Sequence, residues 1–254
     1  MFKYRKTFKI PYYDADKYRR ATPLAMLTYL GETSSAHTEH IGFSVDKLQD
    51  LNYCWMLNRW KVKMSRYPDV KEEITIETWT SSIDRFYANR EFIIYDKKEI
   101  EIGRASTVWI FINMEKKRPI RIPLEFVEAS NLIEEKTFDD FYDFKKEIEI
   151  EEYIDFHVRR LDIDYNNHVN NTKYLAWMLE IIPEDIYENY ILSEFEILYK
   201  KETVYGKTIL SGSKELYDNR GKHEYFHKIL DSNTKDIHSM GITKWKMIKN
   251  KLGD

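Results

Sequence analysis

The run Asp164-Tyr165-Asn166-Asn167-His168-Val169-Asn170-Asn171 is the densest cluster of polar, chemistry-capable side chains in the chain. It stands between an extended segment and the start of a helical one. Helix N-termini present backbone N–H groups that can bind a developing oxyanion. A histidine beside asparagine and aspartate there supplies a general acid or base near neutral pH. The same residues also make an ordinary polar loop with an asparagine helix cap and a surface histidine, and residue types alone do not choose between the two.

Other candidates for chemistry are thinner. His37 and His40 lie three apart, but no His-Glu-x-x-His follows and no third ligand is evident, so no metal is expected. No Gly-x-Ser-x-Gly occurs, which argues against an α/β-hydrolase nucleophile. No Gly-rich phosphate loop occurs. Trp79, Trp109 and Trp245 read as core, and Glu180 as a polar or solvated helix residue. Cys54 is the one cysteine, so neither an intrachain disulfide nor a multi-cysteine zinc site is possible. It reads as a small packed residue, and a reducing, cytoplasmic compartment fits. The net charge of −3 gives no reason to expect nucleic acid. Met1 to Pro11 reads as neither signal nor transit peptide. No apolar run approaches the roughly 18–20 residues of a membrane span, so no membrane insertion is expected.

The elements that must position the cluster come in two copies. Tyr13-Asp14-Ala15-Asp16 leads into Thr22-Pro23-Leu24 and a helical stretch with Tyr29-Leu30-Gly31-Glu32. Leu161-Asp162-Ile163-Asp164 leads into Asn170-Asn171-Thr172 and a helical stretch with Trp177-Met178-Leu179-Glu180. At one constant offset Asp14, Asp16 and Glu32 fall on Asp162, Asp164 and Glu180. Thr22 suits an N-cap and Pro23 a first helical position, and Gly42 can end that helix. Asn170 or Asn171 can cap the second helix, where Leu175, Met178, Leu179 and Ile182 recur at helical spacing until Pro183. Strand-like runs follow each helix: Ile74–Trp79, Phe92–Tyr95 and Ala105–Ile112 in the first half. In the second they are Phe195–Tyr199, Thr208–Ser211, Tyr225–Leu230 and Ile242–Ile248, with a turn at Asp218-Asn219-Arg220-Gly221. A helix and several antiparallel strands, done twice, is an α+β pattern. The charged segment from Asn113 to Lys146, with Pro119 and Pro123, reads as the connection, with short helix around Phe138–Phe144.

Asp164-x-Asn166-x-His168-Val169-Asn170-Asn171, continued by Lys173-Tyr174 and Trp177-x-x-Glu180, resembles the signature of plant and bacterial acyl-(acyl carrier protein) thioesterases. Leu198-Tyr199-Lys200-Lys201-Glu202 resembles the strand of that family that ends in basic residues and a catalytic glutamate. The resemblance extends over most of the chain and implies a tandem (double) hotdog, each copy an antiparallel β-sheet wrapped around a long central α-helix. It implies hydrolysis of fatty acyl thioesters without a cofactor. Residues 1–130 would form a hotdog that shapes the acyl pocket, with Leu24, Met26, Leu27 and Tyr29 as candidate lining. Residues 131–254 would carry catalysis through Asp164, Asn166, His168 and Glu202. In the first copy Tyr18 and Arg20 stand where Asn166 and His168 stand in the second, so one site per chain is expected. Many plant members have a cysteine just after the glutamate; here that position is Thr203, so a thiol mechanism there is not needed.

The implied partner is an acidic acyl carrier protein (ACP) bearing the acyl chain. Arg159, Arg160, Lys200 and Lys201 are candidate docking residues, and a homodimer is compatible with the sequence. Three other readings stay open. An acyl-CoA thioesterase on the same fold differs only in carrier. A hotdog dehydratase also uses histidine and a carboxylate, although both quoted motifs argue against it. A non-catalytic acyl-binding module should have lost His168 or Glu202, and both are present.

Overall fold

The Thr22-Pro23 pair opens a helix in the computed structural model, which describes residues 3–146, 148–219 and 222–248. The Thr22 hydroxyl accepts from the Ala25 amide at 3.1 Å. Pro23 then starts α1 (Pro23–His40), whose chain turns away through Gly42 at φ +86°. The chain divides into two compact units, Met1–Asp140 and Phe141–Asp254.

In the first unit five long strands are all antiparallel: β1 (Tyr4–Lys9), β2 (Tyr53–Met64), β3 (Glu73–Asp84), β4 (Tyr87–Asp96) and β5 (Glu101–Asn113). Their spatial order is β1-β3-β4-β5-β2, and the two-residue β6 (Arg118–Pro119) adds to β5. Helix α1 packs on β3 and β1 and buries Ala25, Met26, Leu27, Tyr29 and Leu30. Two short helices flank the sheet, α2 (Val45–Asp50) and α3 (Leu124–Ser130). Phe43, Leu48, Phe111 and Phe126 form a second small core between them and the strands. The expected runs Ile74–Trp79, Phe92–Tyr95 and Ala105–Ile112 lie inside β3, β4 and β5, which are longer. Strands β1 and β2 lacked a clean apolar signal: β1 alternates half-buried and exposed residues, and most of β2 is only half-buried.

In the second unit the strands are β7 (Tyr153–His157), β8 (Tyr190–Tyr199), β9 (Thr208–Asn219), β10 (Lys222–Asp231) and β11 (Ile237–Met247). Their order is β8-β11-β10-β9-β7, again antiparallel throughout. Of the expected turn at 218–221, Arg220 and Gly221 lie outside the described residues. Helix α4 (Asn171–Leu179) lies against β9 and β10. A Cβ on Gly241 of β11 would meet the Met178 sulfur at 2.7 Å, so glycine there lets α4 come close to the sheet.

Two expectations need correction. The second helix does not run to Ile182: α4 ends at Leu179, and α5 (Glu184–Asn189) begins after Pro183. The residue before a proline is pushed out of helical geometry, which stops the chain at Ile182. The connecting helix is α3, not Phe138–Phe144, which is irregular. Asn131 at φ 47° closes α3 in the left-handed region. Around Phe138 backbone donors find carboxylates instead of helical carbonyls: Thr137 N–H donates to Glu91 at 3.2 Å and Tyr142 N–H to Glu196 at 2.9 Å. Asp139, Asp140 and Asp143 are also poor helix formers.

Candidate active site

The polar cluster folds as a tight turn built on Asp164. Its Oδ1 accepts the backbone N–H of Asn166 at 2.8 Å and of His168 at 3.4 Å. Its own amide donates to the His168 carbonyl at 2.8 Å, and its carbonyl accepts from the Asn167 amide at 3.1 Å. Asn167 takes φ 62°, a left-handed conformation that asparagine tolerates better than most residues. Ile163 and Val169 pair on either side of the turn. Asn170 then caps α4, its side chain accepting from the Thr172 amide at 2.9 Å.

Below the turn, Asp162 is 1% exposed and anchors the approach. It accepts from the Arg159 backbone amide at 2.8 Å and from the Arg159 guanidinium at 3.0 Å and 3.2 Å. Lys173 lies 3.6 Å away. Burial alone would raise the carboxyl pKa, but these donors and cations hold it below the ordinary range.

The structure brings the two quoted motifs together. His168 Nε2 lies 3.1 Å from Glu202 Oε2, with the two side chains 39% and 52% exposed. The link runs through the next residues: the Val169 amide donates to the Thr203 carbonyl at 3.0 Å. Tyr174 stands behind the pair, buried on α4, with its hydroxyl accepting from the Thr203 backbone. Burial, with the Glu202 and Asp164 charges nearby, pushes that hydroxyl well above its usual pKa, so it stays protonated. Tyr174 stood inside the quoted motif without a role; a buried hydroxyl facing a polar loop was the available signal. The amides of Thr172 and Lys173 are committed to the Asn170 side chain and carbonyl. The Asn166 side chain is exposed, so its amide is available as a donor where those two helix-start amides are not.

The first copy repeats this turn bond for bond. Asp16 Oδ1 accepts from the Tyr18 and Arg20 amides at 2.9 Å each, and Arg19 takes φ 64°. Ala15 pairs with Ala21, and the Ala21 amide donates to the Pro68 carbonyl at 2.8 Å. That bond is the counterpart of Val169 to Thr203, so buried Tyr67 stands where Glu202 stands in the second copy. The scaffold is present twice and the histidine–carboxylate pair once.

The other expected residues are placed as follows. Met26, Leu27 and Tyr29 are buried on α1 and Leu24 is half-buried, with the Tyr29 hydroxyl donating to Asp14 at 2.5 Å. Arg159, Arg160, Lys200 and Lys201 are exposed. Arg159 is engaged by Asp162 and Lys201 by Asp236, at 2.5 Å, while the Arg160 guanidinium lies over the Tyr205 ring. Cys54 is half-buried on β2, in the other unit. Among the described residues no cluster of three or more His, Cys, Asp or Glu could hold a metal ion. Among them, too, no helix is long and apolar enough to cross a membrane.

A helix held against an antiparallel sheet, repeated in one chain with a His–Glu pair in one repeat, defines a tandem hotdog protein. The chain belongs to the acyl-ACP thioesterase family: residues 1–130 match the family's N-terminal domain and residues 145–247 its C-terminal domain. It is 27% identical over 229 residues to the chloroplastic oleoyl-acyl carrier protein thioesterase 2 of Arabidopsis thaliana, covering 79% of this chain and 60% of that protein. The chain thus spans about three fifths of the length of that curated relative. The fold matches the crystal structure of an acyl-ACP thioesterase from Bacteroides thetaiotaomicron, with a TM-score of 0.80 at 22% identity, over 95% of this chain and 97% of that one. It also matches the 12:0-ACP thioesterase of Umbellularia californica, with a TM-score of 0.85 at 22% identity, over 97% and 98% of the two chains.

Proposed function

We propose that this protein hydrolyses fatty acyl-ACP thioesters to free fatty acid and holo-ACP, ending chain elongation, in a reducing compartment such as the cytoplasm. The observation that carries this reading is the 3.1 Å contact between His168 and Glu202, two residues from separate motifs. In this reading a water molecule held by the pair loses a proton to it and adds to the thioester carbonyl carbon. Asn166 donates to the carbonyl oxygen as it becomes an oxyanion, an interaction of a kind whose loss costs about 100–1,000-fold in rate. Asp164 holds the turn that presents both side chains. Collapse of the intermediate breaks the carbon–sulfur bond, and the thiolate leaves with the proton returned by the pair. A thiolate is a good leaving group, so the site needs little more.

The first unit shapes the acyl slot in this reading, with Leu24, Met26, Leu27 and Tyr29 as lining. Each buried methylene contributes roughly 0.8 kcal/mol, so two carbons change binding by about tenfold. The acidic carrier docks on cations near the His168 turn. Arg160 and Lys200 are the better candidates, because Arg159 and Lys201 are committed to Asp162 and Asp236.

The test is hydrolysis of matched acyl-ACP and acyl-CoA thioesters over a range of chain lengths by the purified protein. Release of fatty acid with higher kcat/KM on ACP substrates is the expected result. Preference for CoA thioesters would replace the carrier assignment. Tight acyl-ACP binding with no release from any thioester would make the protein a binding module.

A further inference from the structure

Glu202 sits on neither a helix nor a strand. Residues 200–207 are irregular chain between β8 and β9. A carboxylate on such a segment points where its backbone is held, and a misplacement of about 1 Å costs on the order of 100-fold in rate. On its far side the segment is held by Thr203, through Tyr174 and the Val169 amide. On its near side the Lys201 side chain is held by Asp236, and the backbone is held by His238 of β11.

His238 is 3% exposed and grips the chain twice. Its carbonyl accepts from the Lys200 and Lys201 amides at 2.8 and 3.1 Å. Its ring Nδ1 lies 3.0 Å from the carbonyl oxygen of Lys201, the residue just before Glu202. A carbonyl only accepts, so Nδ1 carries the proton and donates. The Nε2 atom lies 3.9 Å from Asp231 Oδ2. Asp231 Oδ1 is itself fixed by the Asn233 and Thr234 amides at 2.8 and 2.9 Å. Nε2 has no hydrogen-bond partner among the described residues, so burial and the Nδ1–H bond hold the ring, and the ring holds the peptide that carries Glu202.

We propose that His238 is a positioning residue for the reaction, holding the Lys201–Glu202 peptide through its Nδ1–H so that the Glu202 carboxylate meets His168. The role rests on the assignment of Glu202 above. It takes no part in proton transfer to substrate.

Steady-state hydrolysis of an acyl-ACP by His238→Asn, His238→Gln and His238→Leu tests it, with His238→Leu also combined with Glu202→Gln. An asparagine amide nitrogen falls where Nδ1 is; a glutamine amide lies one bond further out; leucine donates nothing. The expected kcat for Asn is close to wild type, and for Gln and Leu it is about 10–100-fold lower, with KM within about twofold in all three. In the Glu202→Gln background His238→Leu should add no further loss, because the carboxylate it positions is gone. Wild-type kcat in His238→Leu, equal kcat in the Asn and Gln variants, or the same loss in both backgrounds would overturn the proposal. Should His238→Leu fail to fold, the Asn and Gln pair decides alone. Wild-type turnover in Glu202→Gln would overturn the Glu202 assignment itself, a result separable from the His238 series.

Discussion

Two turns with the same hydrogen bonds carry different side chains, and in the proposed reaction that difference is where chemistry enters. Asp16 and Asp164 each collect two backbone amides from the residues two and four ahead. The first turn presents Tyr18 and Arg20, the second Asn166 and His168. Tyr67 against Glu202 completes the contrast. A histidine with a carboxylate can move a proton near neutral pH, whereas arginine stays protonated. The proposed reaction assigns the thiol no part. Thr203 follows Glu202, and Cys54 belongs to β2 in the first unit. Cys54→Ser should therefore keep most of the wild-type turnover. Loss of turnover in a folded Cys54→Ser protein, with an acyl group trapped on Cys54 in the wild type, would replace the water mechanism with a covalent one.

At the scale of elements, each unit buries a histidine between its sheet and the rest of its core. On α1, His37 accepts from Arg90 of β4 at 2.5 Å, and burial together with that cation pushes its pKa down to about 3. On β10, His227 is fully buried against the Thr243 hydroxyl, and burial pushes its pKa down to about 3. Free histidine titrates near 6.5. Between about pH 6.5 and 3 the unfolded chain therefore binds protons at these rings that the folded chain refuses. Stability is full above pH 6.5 and falls as the pH drops, by about 1.4 kcal/mol per pH unit for each ring. Urea unfolding at several pH values should show this slope, and His227→Gln should remove one ring's share of it. An unchanged slope in that variant would mean His227 is charged or exposed in the folded state.

Elements differed in how far they could be read beforehand. Helix α1 was plain because cap, proline and glycine all agree locally. The cores of β3, β4 and β5 were plain because they are β-branched and buried. Strands β1 and β2 were not, since their half-buried residues take meaning only from the strand beside them. The end of α4 was misplaced by three residues because Ile182 continues the apolar spacing while Pro183 has already turned the chain. The irregular course around Phe138 depends on Glu91 and Glu196, which lie far off in sequence.

For the whole molecule, the internal repeat was the most informative feature of the sequence, because duplication makes an asymmetry visible. Asp164, Asn166 and His168 were legible as one turn. Glu202 was legible only through family resemblance, since nothing local says that residue 202 returns to residue 168. Of the contacts that hold it, Tyr174 stands inside the quoted motif, whereas His238 comes from the packing of β11 and left no mark in the sequence. The measurement that tests the account most directly is single-turnover release of fatty acid from an acyl-ACP by the wild type, His168→Ala and Arg20→Ala, the same position in the two copies. The account predicts a loss of at least about 100-fold for His168→Ala in a folded protein and a near-wild-type rate for Arg20→Ala. Near-normal release by His168→Ala, or equal losses in both variants, would contradict a single catalytic site in the second copy.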